Sequence, residues 1–170
     1  MSTLGEIHSK DNSNKLQKVK SLLTKKNTLK PAKKPTRVIK PGDIFLIKAD
    51  KSNGITPKNG QNFRWKYFIV VGKLSDGSLH CCAVFDSEKN REYIEPRFDE
   101  FYMLVKAGKY SFLKHDSYID CLVLKNASSQ KLLKGLYKGS LTAEDLAEVF
   151  RLIKLNPRHT PVYLNLWGIK

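Results

Sequence analysis

Residues 62–87 read NFRWKYFIVVGKLSDGSLHCCAVFDS. Two apolar runs, Phe63–Leu74 and Ser78–Ser87, flank Ser75-Asp76-Gly77. An Asp-Gly pair between such runs is the strongest short-range hairpin signal, because the turn needs residues that tolerate positive φ. Two antiparallel strands are therefore expected. Side chains alternate across a strand, so Arg64, Lys66, Phe68 and Val70 share one face, and Trp65, Tyr67, Ile69 and Val71 share the other. The bases gather at one strand end with aromatic residues beside them. Two cations and an exposed ring suit a phosphate backbone with an unstacked base. The alternative is that Arg64 and Lys66 solubilise the start of the strand while Trp65 packs.

The returning strand carries Cys81 and Cys82. Neighbouring strand residues face opposite ways, which leaves these two poorly placed to bridge each other. With Cys121 they make an odd number, expected as small apolar core residues of a reducing, cytoplasmic protein. His80 in the same strand reads as a satisfied structural histidine rather than a metal ligand.

Working outward, Asp43–Ala49 (DIFLIKA) reads as a strand, followed by the polar loop DKSNGITPKNGQN. After the hairpin, the charged stretch EKNREYIEPRFDE leads to two further β segments, Phe101–Lys106 and Tyr118–Leu124. A short helix is expected near Ser129–Leu136, ending at Lys138-Gly139. A second begins near Ser140 or Thr142, with Asp145 in capping-box position and Leu146, Val149, Phe150 and Ile153 on one face. Asn156-Pro157 stops it, and PVYLNLWGIK alternates like a returning strand or a packed tail. Short strands with helices collected at the end indicate an α+β fold: a small barrel or strongly curled sheet with C-terminal helices.

The chain has 170 residues, enough for one ordinary domain, and 31 basic against 16 acidic residues give a net charge of +15. Residues 1–40 hold ten lysines and Arg37 against Glu6 and Asp11. Residues 13–26 place Leu16, Val19, Leu22 and Leu23 on one stripe of a short amphipathic helix, and Pro31, Pro35 and Pro41 then impose an extended linker. The expected organisation is a basic, partly helical arm over 1–40 and a barrel domain over 41–170. In the arm, Lys33, Lys34 and Arg37 either stay solvated or grip a polyanion such as RNA. No apolar run is long enough for a bilayer span, and the N-terminus lacks the apolar stretch of a secretory signal, so no membrane association is expected. Phosphate-loop, dinucleotide-loop, HExxH and CxxC signatures are absent, and His8, His80, His115 and His159 are scattered. His115-Asp116-Ser117, followed by Asp120, forms a polar knot at the mouth of a strand, where Asp116 either caps a turn or serves as a base.

In order, KPGDIFLI, KYFIVVG, AVFDS, DSYIDCLVLKN and KLLKGLYKGSLTAEDLAEVFRLI resemble segments of the MazF/PemK family of toxin endoribonucleases, over about Lys40 to Leu155. The resemblance implies an SH3-like barrel with a terminal helix that cuts single-stranded RNA without metal or other cofactor. By position, Lys66 stands where the family has an arginine, with Arg64 as a nearby substitute. Ser87 stands at the hydroxyl position and Lys125 at a late arginine. Leu122-Val123 replaces the usual Asp-Gln pair. The resemblance gives Lys66, Arg64 and Ser87 as catalytic candidates and Lys125 as an RNA contact, and the reading of the residues adds Asp116 or His115 for proton movement and Trp65 against RNA. The resemblance also implies a homodimer and an antitoxin that covers the groove. Against this nuclease stand two other functions: a non-catalytic nucleic-acid-binding barrel with residues 1–40 as an electrostatic arm, and a protein-interaction module.

Overall fold

The computed structural model describes residues 37–89 and 95–170, which belong to a compact unit running from Arg37 to Lys170. The amphipathic segment 13–26, Lys33 and Lys34 lie outside the described residues. The strands are β1 (Asp43–Ala49), β2 (Arg64–Lys73), β3 (Leu79–Asp86), β4 (Tyr102–Val105), β5 (Ser117–Ser128) and β6 (Leu136–Ser140). The helices are α1 (Ser129–Lys134), α2 (Ala143–Leu155) and α3 (Pro161–Leu166), with single 3-10 turns at Lys51–Asn53 and Pro96–Phe101. The strands form one antiparallel sheet in the order β4-β5-β3-β2-β1-β6. Register shifts at Ile44/Phe45, Val70/Gly72 and Cys82/Val84 interrupt three ladders. Each bulge adds local twist, and the sheet curls into half of a barrel with the helices following it in the chain. Among the described residues no helix is long and apolar enough to cross a membrane.

The hairpin forms as its sequence dictates. Gly77 takes φ 69°, its N–H donates to Leu74 O (2.9 Å), and Asp76 Oδ1 accepts from Ser78 N (2.9 Å). The alternation of β2 divides two cores. Ile69 and Val71 pack with Ile44, Ala83, Phe85, Ile119 and the inner face of α2, while Phe68 and Val70 pack with Phe45, Ile47, Val84, Ala127 and Leu132 of α1. Cys81 falls in the first core and Cys82 in the second, both fully buried, and all three cysteines are free.

Two local expectations are corrected and one alternative is decided. The first helix ends at Lys134, and Leu136–Ser140 is instead an edge strand paired with β1. Gly135 is the reason: a Cβ there would meet Ile47 Cγ2 at 2.6 Å and Leu46 O at 2.8 Å, so only glycine lets the chain settle onto β1. The start of α2 is capped by Thr142 Oγ1, which accepts from Asp145 N (3.2 Å). The reciprocal half of the capping box is missing, because the Asp145 carboxylate accepts from Lys109 Nζ and Tyr110 Oη (each 2.6 Å) and ties a loop to the helix. Of the two alternatives for the C-terminal segment, the packed tail holds and the strand does not, since the segment opens as a helix. Thr160 caps it, Pro161 sits in its first turn, and Trp167 and Ile169 then pack into the first core.

The tail docks through Lys73 N, which donates to Trp167 O (2.9 Å), directly beside Gly72. A Cβ on Gly72 would lie 2.5 Å from that same carbonyl. Gly72→Ala should therefore displace the tail and cost about 1–3 kcal/mol, the usual range for overpacking. Urea denaturation reads this as a lower midpoint; an unchanged midpoint would show that the tail adds nothing to stability.

Candidate active site

The face of β2 that carries Lys66 continues across the sheet through cross-strand partners. One row runs Leu104, Tyr118, Asp86, Lys66, Ile47 from β4 to β1. The next row runs Tyr102, Asp120, Val84, Phe68, Phe45, Tyr137. Antiparallel register turns opposite residues to the same side, so the polar members of these rows are neighbours. Lys66 Nζ donates to Asp86 Oδ1, with the Lys66 side chain 12% exposed and that of Asp86 27%. Asp86 is thus the carboxylate that solvent, or a ligand, reaches. Lys89 adds a second cation: its ammonium lies 5.3 Å from the Tyr118 ring centroid and 5.9 Å from that of Tyr102, and pairs with Asp99 at 3.3 Å.

Asp120 lies behind Asp86, only 7% exposed. Its Oδ1 accepts from Leu122 N (2.8 Å) and Val123 N (3.0 Å), which supports the strand where its ladder with β3 is interrupted. Burial pushes its carboxyl up to about 6, the Asp86 charge adds to the rise, and the two backbone donors and Lys125 offset part of it. The Tyr102 hydroxyl is likewise pushed up, first by burial and then by Asp120, Asp86 and Asp99. The result is a carboxyl pushed up to about 6 beside a half-buried Lys–Asp pair.

The residues singled out from sequence distribute unevenly around this centre. Arg64 lies opposite Ala49 on the Lys66 face, one step toward the strand's start. Ser87 is exposed and directly follows Asp86. Lys125 pairs opposite Cys82, its stem against Gly54, whose added Cβ would sit 3.3 Å from Lys125 Cδ. His115-Asp116-Ser117 leads into Tyr118, the cross-strand partner of Asp86. Within that knot Asp116 is a turn-locking residue: its oxygens accept from Lys106 Nζ (2.8 Å) and Ala107 N (2.9 Å), and these bonds, the lysine's first, hold its carboxyl below the usual range. His115 Nδ1 donates to Asp116 O (2.9 Å).

Trp65 is 52% exposed but turns to the opposite face, edge-on to Phe63 with Lys48 Nζ 5.4 Å from its centroid. It therefore does not share a pocket with Lys66. Arg37 stacks on Tyr137 of β6, 3.4 Å from the ring centroid.

Sequence reasoning missed Asp86, Lys89 and Tyr102 as members of the site and gave Asp120 no role. The available signal was a carboxylate inside an apolar strand, as in SYIDCLVL, since such a residue is rarely buried without a purpose.

Because the folded-state value of Asp120 is raised, its contribution to stability is complete below about pH 4 and is lost as pH rises through about 6. Asp120→Asn keeps the Oδ1 acceptor and removes the charge. Above pH 7 the variant should exceed the parent in stability by on the order of 2–3 kcal/mol, and the parent's decline between pH 4 and 6 should disappear. Urea midpoints at pH 4.5 and 7.5 test this, and parallel pH profiles for the two proteins would refute it. No protein-family model matches this chain, and no curated protein matches it in sequence.

Proposed function

We propose that this chain is a divergent, metal-independent endoribonuclease of the MazF/PemK type, acting on single-stranded RNA from one face of an SH3-like barrel. The observation that carries the reading is the Lys66–Asp86 pair in front of the buried Asp120. Cleavage without a metal needs a cation for the charge that builds on phosphorus and groups that take and return a proton. Lys66 and Arg64 neutralise the non-bridging phosphate oxygens. Asp86 accepts the proton of the substrate's 2′-hydroxyl as that oxygen attacks phosphorus. The P–O5′ bond breaks, leaving a 2′,3′-cyclic phosphate and a 5′-hydroxyl. His115 supplies a proton to the departing O5′ from Nε2, its Nδ1–H being held by the Asp116 carbonyl. Ser87 orients the phosphate, and Tyr118 and Lys125 contact the flanking nucleotides. Asp120 is a positioning residue whose charge sets that of the pair in front of it.

A lysine cannot give the two-pronged grip of an arginine on phosphate, so this site leans on a pair of bases where one arginine would serve. The net charge of +15 draws RNA to the surface. The same reading brings a homodimer and an acidic antitoxin segment as partners.

A second reading, RNA binding without cutting, is favoured by the internal pairing of Lys66 with Asp86 and Lys89 with Asp99. Incubation of single-stranded RNA with the purified chain in chelator separates the two. Cyclic-phosphate ends should appear, and Arg64→Ala with Lys66→Ala should lower kcat/KM about a hundredfold or more. Asp86→Asn should lower kcat by about two to four decades, and Asp120→Asn should remove an inflection near pH 6 from the rate profile. Intact RNA, or cutting that ignores Lys66 and Asp86, overturns the nuclease.

A further inference from the structure

At the far end of β2, about 20 Å along the strand from Lys66, a cleft of ≈ 590 Å³ opens between residues 38–41, the end of β2 and the C-terminal tail. Its walls are apolar, with Val71, Leu74, Phe150 and Ile169 among them. The ionisable side chains on its lining other than His80 are Lys40, Lys73, Lys154 and Lys170, with no Asp or Glu. All four lysines are exposed, and none forms an ion pair among the described residues. Four lysines without ion-pair partners among the described residues thus border an apolar cleft whose lining has no acidic side chain.

Two side-chain nitrogens in the lining are buried. Ser129 Oγ donates to Gly77 O (2.6 Å) and so accepts from His80 Nε2–H (2.9 Å). This fixes the tautomer and leaves the lone pair of His80 Nδ1 with no hydrogen bond, although the residue is only 3% exposed. Trp167, 7% exposed, has a buried indole N–H whose nearest polar neighbour is the Tyr163 hydroxyl. Both nitrogens are shielded from solvent behind the cleft wall, so the surface a ligand meets is the apolar lining with its lysines.

We propose that the cleft binds a single-chain amphipathic anion, its alkyl body of roughly ten carbons along the apolar walls and its carboxylate or phosphate head among the four lysines. Uncharged or cationic chains of the same length forgo the lysine ring. The site is separate from the RNA-directed face and does not depend on that reading.

Isothermal titration of the full chain with decanoate, decyl phosphate and decyltrimethylammonium, each below its micelle concentration, tests the proposal. Saturable one-to-one binding is expected for the anions and none for the cation. Affinity should rise about three- to fourfold for each methylene between octanoate and decanoate. Lys73→Gln with Lys154→Gln, both surface changes, should weaken binding at least tenfold. Absence of saturable binding by either anion, equal binding of the cation, or indifference to the lysine substitutions overturns the site.

Discussion

The structure depends on one strand being buried on both sides. β2 sends alternate residues into two separate cores, so its register with β1 and β3 cannot slip by a single residue without exchanging every partner. That constraint fixes which end of the strand is polar. Lys66 has a carboxylate across from it because Phe68 is locked opposite Val84, two residues further along both strands. The geometry of the candidate site is thus a by-product of hydrophobic packing some 7 Å away along the strand.

The bulges explain how a two-sided sheet also becomes a curved one. Two of them interrupt a ladder beside a residue that serves the fold in a second way. Gly72 receives the C-terminal tail, and the β3–β5 shift lies where Asp120 collects two backbone N–H groups. Asn156 strengthens the same region from the other side, its amide donating to the carbonyls of Cys121 (3.0 Å) and Leu122 (3.1 Å). The end of α2 is therefore fastened to the strand segment that carries Asp120. Stability and candidate chemistry share these atoms, which makes the site rigid.

Much of this was legible in the sequence wherever local chemistry decided the outcome. The Asp-Gly turn, the alternation of β2, the 3.6-residue face of α2 and its Asn-Pro stop all operate within a few residues and all appear as read. What misled were positions decided by distant contacts. The first helix is expected to reach Leu136 and end at Lys138-Gly139, but Leu136–Ser140 becomes a strand because Gly135 permits close approach to β1. Asp145 looked like half of a capping box until Lys109 and Tyr110 drew its side chain away. In the site, Lys66 and Arg64 stood out as bases beside aromatics. Asp86 and Asp120 did not, since their significance comes from strands meeting across tens of residues.

The two adjacent cysteines carry a practical consequence. Their thiols sit back to back in different cores, and burial drives that of Cys81 up to about 12 and that of Cys82 well above its ordinary range. Alkylating reagents act on thiolates, and neither sulfur offers one to solvent while the sheet is intact. Labelling at Cys81 and Cys82 is then a clock for opening of the central hairpin, one reporter on each side of the same sheet, with no probe engineered into the chain.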